Sequence, residues 1–491
     1  MVERDERAAD MQSLTTTSSG PALTNGATFD VVNPATGEVF AQAPACSPEQ
    51  LDASVRAADK AFRTWQLDEA YRRERLGAAA DALDAHADQI GKVLTAEQGK
   101  PLAEAVADVH RSADWFRYYR DLELEPEFHE ETRDGYVEVV RRPLGVVAGI
   151  VPWNQPMLLA AWKAAPALRA GNTIILKPSP YTPLTALAVA DVLKSVFPPG
   201  VFTVLTGPSP LGDKLAAHPL VRKISFTGST EVGKKVAAAA APDLKRVTLE
   251  LGGNDAAIVL EDADPAAIAG DLFWAAFKNN GQMCALIKRL YVPAGRYNDY
   301  VEAIAEVART ARVGDGMSDG VQLGPLTTAA QLAWIKELAG ESLARGAVPA
   351  AGGNPIDGNG YFFEPTVLTN VTDGDRIVDE EQFGPILPIV AYRDEDDAIA
   401  RANASNYGLG GSVWGTDIDH ALAVARRLDS GQASVNNHTR GIRPHLPFGG
   451  FKWSGIGVEN GRWGYEAYTQ LQTLAAPPRQ AQNNQADNGR S

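Results

Sequence analysis

The sequence predicts an α/β protein with two doubly wound domains and a small extra β flap. Three observations carry that expectation. Between residues 146 and 227 apolar strands alternate with stretches of helical periodicity, the pattern of a parallel sheet covered by helices. A second series of the same kind begins at residue 256. The chain has 491 residues, more than one hydrophobic core ordinarily serves.

The elements follow in order. Residues 1–26 are small and polar and read as a disordered leader. Order is expected from Phe29-Asp30-Val31-Val32, a short strand closed by the turn Asn33-Pro34-Ala35-Thr36-Gly37. Residues 48–120 place Ala, Leu, Glu and Arg at helical spacing, and Ser47-Pro48-Glu49 supplies a helix start. Residues 134–142 alternate as a strand with one polar face. Strands are then expected at 146–151, 172–177, 201–206 and 222–227, with helices at 157–170 and 183–196. The second series runs strand 256–260, helix 264–278, strand 289–292, helix 296–311. Turns, the Gly-rich Pro447-Phe448-Gly449-Gly450 and a last apolar segment at 470–476 follow. The expected division is 27–120 with 141–250 for the first domain and 251–445 for the second. Flanking strands in 121–140 and 462–480 find no partner in either sheet and suit contact with another subunit; residues 481–491 read as a disordered tail.

Composition narrows the class. Hydrophobic residues make up 45% and charged residues 22%, ordinary for a globular protein. The formal net charge of -15 gives no reason to expect nucleic acid or an anionic membrane as partner. The two cysteines, Cys46 and Cys284, cannot build a disulfide framework or a zinc site, so no metal is expected and a reducing, cytoplasmic compartment is. No apolar run reaches the roughly 18 residues of a membrane span, and residues 1–20 lack a signal-peptide core.

Several residues are candidates for chemistry, each with a plainer alternative. Cys284 follows Asn279-Asn280-Gly281, a helix stop, so it sits where backbone N–H groups are free to stabilise a thiolate or an oxyanion. Taken alone, such a cysteine is more often a small buried hydrophobe. Glu250 lies between Leu249 and Leu251 in an apolar strand; it is either half of an ion pair or a base whose pKa burial has raised. Gly252 and Gly253 then let another group approach the backbone. Asn154, after Pro152-Trp153 at the end of a strand, can donate to developing negative charge, although Asn in a turn is commonplace. Phe226-Thr227-Gly228-Ser229-Thr230-Glu231-Val232-Gly233 reads strand, turn and helix start, a phosphate-binding geometry without the usual glycine spacing. Lys177 ends another strand and either reaches a ribose or phosphate or is a solvated lysine.

Together these segments resemble the aldehyde dehydrogenase superfamily, of the NAD(P)-dependent, hydrolytic, non-acylating type. The resemblance rests on Pro152-Trp153-Asn154, the Phe226–Gly233 run, Leu249-Glu250-Leu251-Gly252-Gly253, Gly281-Gln282-Met283-Cys284, Glu381-Gln382-Phe383-Gly384-Pro385 and Pro447-Phe448-Gly449-Gly450-Phe451-Lys452, in the family's order and spacing over residues 29–476. It implies a Rossmann-like cofactor domain, a catalytic domain and an oligomerisation flap in a homodimer or homotetramer. It implies Cys284 as nucleophile, Glu250 as general base, Asn154 as oxyanion donor, and Lys163 with Glu459 as a proton relay behind the base. Lys177, Ser179, Ser229 and Glu381 match the positions that hold the cofactor, and Trp153, Gly212, Phe226, Gly228 and Phe383 line that cleft. Trp162 and Phe448 match walls of the aldehyde tunnel. The expected activity is oxidation of an aldehyde to its acid, because Glu250 serves hydrolysis of a Cys284 thioester rather than transfer to coenzyme A.

The sequence also departs from the pattern. Pro180 stands where many NAD-preferring relatives carry a ribose-binding carboxylate, so NADP is expected to serve as well as NAD. Gln155 follows the oxyanion asparagine where an aromatic or apolar residue is frequent, and His438, Arg440, Arg443 and His445 make a cationic loop near the expected tunnel mouth. These features suit an aldehyde with a polar or anionic far end, or a subunit or solvent contact. The rival readings are an acylating or esterase enzyme on the same scaffold and a catalytically silent homologue.

Overall fold

The computed structural model describes residues 26–125, 127–132, 135–438 and 441–477. The leader expected at 1–26, Gly26 apart, and the tail expected at 481–491 lie outside them.

Residues Thr28–Asn33 and Glu38–Pro44 pair as an antiparallel hairpin around the expected Asn33–Gly37 turn. Four helices follow: Pro48–Trp65, Glu69–Ala85, Ala87–Gln98 and Leu102–Asp121. The first starts as the sequence suggested, with the Ser47 hydroxyl accepting from the Gln50 N–H while the Gln50 side chain accepts from the Ser47 N–H.

The first sheet has six strands, in the order Gly455–Ile456, Arg246–Glu250, Val221–Thr227, Val146–Ile150, Thr173–Lys177, Phe202–Val204. All but the first are parallel. The chain enters at Val146–Ile150 in the middle, builds outward to Phe202–Val204, then returns to Val221–Thr227 on the other side. That reversal creates a switch point between the ends of Val146–Ile150 and Val221–Thr227, where open α/β sheets bind ligands. The strand Val146–Ile150 is buried throughout, as a strand covered on both faces must be. One apolar cluster, with Leu168, Ile174 and Trp162, covers one face, and another, with Ile175, Ile224 and Leu249, covers the other.

The second sheet has seven strands, in the order Val348–Ala351, Thr366–Thr369, Ile386–Tyr392, Ile287–Pro293, Asp255–Val259, Gly410–Trp414, Gln432–Val435. Only the edge strand Val348–Ala351 is antiparallel. The sequence reading found its central strands and missed the outer five. Four residues separate Glu250, which ends one sheet, from Asp255, which begins the other. The carboxyl edge of the first sheet therefore faces the amino edge of the second.

The flanking strands stay out of both main sheets, as expected, and pair with one another: Phe128–Thr132, Gly135–Pro143 and Thr469–Ala476 form a three-stranded antiparallel sheet. The strands are also shorter than 121–140 and 462–480, because the helix Leu102–Asp121 ends inside the first interval and the helix Gly461–Glu466 occupies the start of the second. The segment between 445 and 462 likewise returns to the first sheet, through Gly455–Ile456.

Candidate active site

The nucleophile loop is shaped by its local sequence. The helix Pro265–Phe277 stops, and Asn279, Asn280 and Gly281 adopt φ of 51°, 56° and 75° in succession. Asn and Gly are the residues that tolerate this left-handed backbone. Gly281 has a second constraint, since a side chain there would run into the backbone of Gly384. The chain then turns through Gln282 and Met283 to half-buried Cys284 and enters the strand Ile287–Pro293.

Cys284 opens onto a cleft of about 290 Å³ at the switch point, also lined by Trp153, Asn154, Gly228, Ser229, Glu381 and Phe383. The cleft thus collects loops from both sheets. Trp153 and Phe383 meet edge to face at 5.4 Å. Phe383 takes φ of 52°, and Lys288 lies 5.4 Å below its ring. Glu381 accepts from the Gly253 N–H at 3.1 Å, and its carboxylate sits so tightly on Gly252 that any Cβ would overlap it. Burial raises the Glu381 carboxyl to about 7, against the pull of Lys288.

Ser229 caps the helix Thr230–Ala240, its hydroxyl accepting from the Val232 N–H. Gly228 and Ser229 line the cleft, so this helix N-terminus lies beside it, a setting that suits a pyrophosphate. Phe226 is not a wall of the cleft: its ring underlies Gly228 and belongs to the core with Leu249 and Leu251. Lys177 is buried rather than solvated, donates to the Pro178 carbonyl at 3.1 Å, and is lowered by desolvation to about 8. Gly212 packs on its aliphatic stem, and Ser179 is buried beside it with its hydroxyl accepting from Tyr181 N–H. Pro180 brings no carboxylate, but the neighbouring helix Pro210–Ala217 does: the charge of Asp213 acts on Lys177. Lys177, Ser179 and Gly212 form a group of their own outside the lining of the cleft that holds Gly228, Ser229, Glu381 and Phe383.

Glu250 is 2% exposed, and neither of its carboxylate oxygens has a hydrogen-bond partner among the described residues. Burial raises its pKa well above the usual carboxylate range; the nearby Glu459 charge adds to the rise and Lys163 opposes it. Of the two alternatives open in the sequence, the ion pair is therefore absent and the perturbed carboxyl is present. Its strand partner is Thr227. The Thr227 hydroxyl accepts from the Lys163 ammonium at 2.7 Å, which also donates to Glu459 at 2.8 Å. Ser225 donates to the same Glu459 oxygen at 2.8 Å. Sequence reading paired Lys163 with Glu459 but missed Thr227 and Ser225, whose alternation along one strand was the available signal.

Cys284 departs from expectation. No thiolate is favoured: burial and the charges of Glu381, Asp255 and Glu250 push the thiol up to about 12. The turn after the Asn-Asn-Gly stop does not offset burial among three acidic side chains, and the Gln282 N–H there is already held by the Asn279 carbonyl.

Behind Cys284 lies an aromatic wall. Trp162 stacks on Trp115 at 5.4 Å and meets Phe448 edge to face at 5.2 Å, and Cys284 packs against the same apolar cluster. Among the described residues, Gln155 Oε1 and Trp162 Nε1 in this region have no hydrogen-bond partner. His438 is not free to serve a cationic tunnel mouth: it is buried between the Ser412 hydroxyl at 2.9 Å and Asp255 at 3.2 Å. Arg440 lies outside the described residues.

Two doubly wound sheets that meet at a cleft lined by a cysteine, an asparagine and a glutamate place the protein among α/β enzymes with a site at a strand-order switch point. The aldehyde dehydrogenase family model matches residues 23–474, and the chain belongs to that family. It is 37% identical over 461 residues to the glutarate-semialdehyde dehydrogenase of Pseudomonas aeruginosa, covering 92% of this chain and 94% of the relative. The same figures hold for an Escherichia coli succinate-semialdehyde dehydrogenase designated NADP(+). An aldehyde dehydrogenase structure from Bacillus cereus superposes with a TM-score of 0.92 at 33% identity, covering 96% of this chain and 98% of that one. A Staphylococcus aureus betaine aldehyde dehydrogenase in complex with NAD+ gives 0.89 at 32% identity, covering 92% of each chain. The protein is an enzyme that oxidises aldehydes to carboxylic acids, with NAD or NADP as the family's cofactor. No helix among the described residues is long and apolar enough to cross a membrane.

Proposed function

We propose that the oxidation proceeds through a covalent thioester on Cys284 that water hydrolyses with Glu250 as base. The observation that carries this is the convergence of Cys284, Asn154 and Glu381 on one cleft, with the unpartnered, buried Glu250 carboxyl one residue before the cleft-lining Leu251 and Gly252. Cys284 resting as a thiol must lose its proton to add to the carbonyl carbon. Glu250, whose charge already acts on the sulfur, is placed to receive it. Addition gives a hemithioacetal whose oxyanion meets the Asn154 amide and the Cys284 backbone N–H. When bound, NAD(P) accepts the hydride released as that adduct becomes a thioester. Once Glu250 has released the Cys284 proton to solvent, it draws a proton from the water that attacks the thioester carbon; the C–S bond breaks, the Cys284 sulfur takes up a proton, and the acid leaves. Lys163 is hydrogen-bonded to Thr227 and Glu459 beside Glu250, whose strand neighbour is Thr227, and the three are the relay we assign to the proton drawn from water.

Lys177, Ser179, Gly212, Gly228 and Ser229 would hold the adenosine and pyrophosphate part of the cofactor, and Glu381 with Phe383 and Trp153 the nicotinamide ribose. With Pro180 in place of a carboxylate, NADP is used as well as NAD. The designation of the Escherichia coli relative supports this, while Asp213 tempers it. The unpartnered Gln155 and Trp162 atoms favour an aldehyde carrying a hydrogen-bonding group at its far end, and the two semialdehyde relatives agree. The expected assembly is a homodimer or homotetramer in the cytoplasm. The outer edge strand Thr469–Ala476, with Leu471 and Leu474 exposed, is the surface to cover.

The deciding experiment is a panel of aliphatic, aromatic, hydroxylated and carboxylated aldehydes, run with both cofactors on wild type and Cys284→Ala. Turnover by the variant would overturn the mechanism. An NAD preference above roughly a thousandfold, about 4 kcal/mol, would overturn dual use.

A further inference from the structure

The loop that carries the nucleophile and the strand end that carries the oxyanion donor are tied together by a buried polar chain. The Asn154 side-chain amide does not point freely into the cleft. One of its N–H groups donates to the Gln282 carbonyl at 2.8 Å. That carbonyl, two residues before Cys284, also accepts from the Asn279 amide at 3.4 Å. The Asn279 amide donates in addition to the Asn154 backbone carbonyl at 3.1 Å. Asn279 thus clamps both ends of the Asn154–Gln282 contact.

Asn279 is itself held. Its side-chain oxygen accepts from the Gln98 amide at 3.1 Å, and Gln98 donates at 3.1 Å to the Thr327 hydroxyl, which donates back to the Gln98 carbonyl at 2.9 Å. The Gln98 side-chain oxygen accepts from the Lys100 N–H at 3.0 Å. Every polar atom of the Gln98 amide is committed, so its orientation is fixed. Gln282 closes the circuit, donating to the Asn279 and Pro325 carbonyls and accepting from the Thr327 N–H at 2.9 Å. Gln98, Asn279 and Gln282 are each 3% exposed or less. Such a fully satisfied network in a dry interior rigidifies what it holds. Here it holds a backbone in the left-handed region, which persists only when its surroundings over-determine it.

We propose that Asn279, anchored by Gln98 and Thr327, is a positioning residue for the oxyanion site: it fixes where the Asn154 amide stands relative to Cys284. This rests on the reading that Asn154 stabilises the Cys284 adduct. Asn279 touches neither substrate nor cofactor in this role; it acts through Asn154. The consequence is specific. Loss of the clamp costs rate only while Asn154 is present to be misplaced.

The test is a double-mutant cycle read by single-turnover formation of reduced cofactor on the holoenzyme. Asn279→Gly removes the clamp and keeps a residue suited to φ of 51°. It is expected to slow the turnover about ten- to a hundredfold, the effect of a displaced oxyanion donor, with cofactor Kd unchanged. In an Asn154→Ala background the same substitution is expected to cost less than about threefold. Gln98→Glu keeps the acceptor for the Lys100 N–H but removes the donor to Asn279, and is expected to reproduce the pattern more weakly. It keeps the question answerable if Asn279→Gly does not fold. Equal losses with and without Asn154, or no loss in either variant, would overturn the proposal. If Asn154→Ala alone leaves the single-turnover rate intact, the oxyanion reading fails instead.

Discussion

Glu250→Gln should separate activity from stability, because the same burial that makes the carboxyl a base also makes it a burden to the fold. The side chain is enclosed, and neither oxygen is hydrogen-bonded. Its folded pKa is raised above the unfolded value near 4.5. A carboxyl shifted in that direction gives its full stability below the unfolded pKa and loses it as pH rises toward the folded pKa, at up to about 1.4 kcal/mol per unit. The amide cannot ionise and escapes that loss. Relative to wild type, Glu250→Gln should therefore be near neutral at pH 4.5 and more stable by about 1–3 kcal/mol at pH 8. Activity should move the other way. Removal of a general base costs about a hundred- to ten-thousandfold, here in thioester hydrolysis. Mixing enzyme, cofactor and aldehyde in a stopped-flow instrument should give a burst of about one reduced cofactor per site, then slow turnover. Urea unfolding at the two pH values supplies the stability arm. A variant that turns over at wild-type rate, or that is less stable than wild type at pH 8 but not at pH 4.5, would refute the reasoning.

Cys284→Ala should abolish turnover while cofactor Kd, followed by fluorescence titration, changes less than about threefold. Lys163→Met strands Glu459 without its cation and should cost about 3–5 kcal/mol in urea unfolding, mostly recovered by adding Glu459→Gln; a loss under about 1 kcal/mol would argue against the buried pair. Asp213→Asn removes a negative charge that acts on Lys177, and should move the NADP-to-NAD ratio of kcat/KM toward NADP by roughly fivefold, about 1 kcal/mol. An unchanged ratio would mean that the 2′-phosphate does not lie there.

Much of the fold could be read in advance because its signals are local. Strand periodicity, the Ser47 cap and the Asn-Asn-Gly stop act over a few residues, and the structure keeps them. The missed strands, Thr366–Thr369 and Ile386–Tyr392 among them, are short apolar runs that periodicity alone cannot separate from loop or helix. The pairing of Gly135–Pro143 with Thr469–Ala476 joins segments more than 300 residues apart, and hydrogen bonds between such segments leave no mark in either one.

The same division runs through the site. The chain by itself determined which groups are present: a cysteine after a left-handed turn, a lone carboxylate in an apolar strand, an asparagine at a strand end, and the motifs that place them in one family. Protonation and orientation were decided only by the tertiary structure. Cys284 rests as a thiol because packing buries it and Glu381 and Asp255 approach it from distant segments, Glu250 is stranded because Lys163 bonds Thr227 and Glu459 instead, and Asn154 is aimed by Asn279 and Gln98. Charge and hydrogen bonding act through space over a few ångströms, so they answer to neighbours that sequence separation conceals.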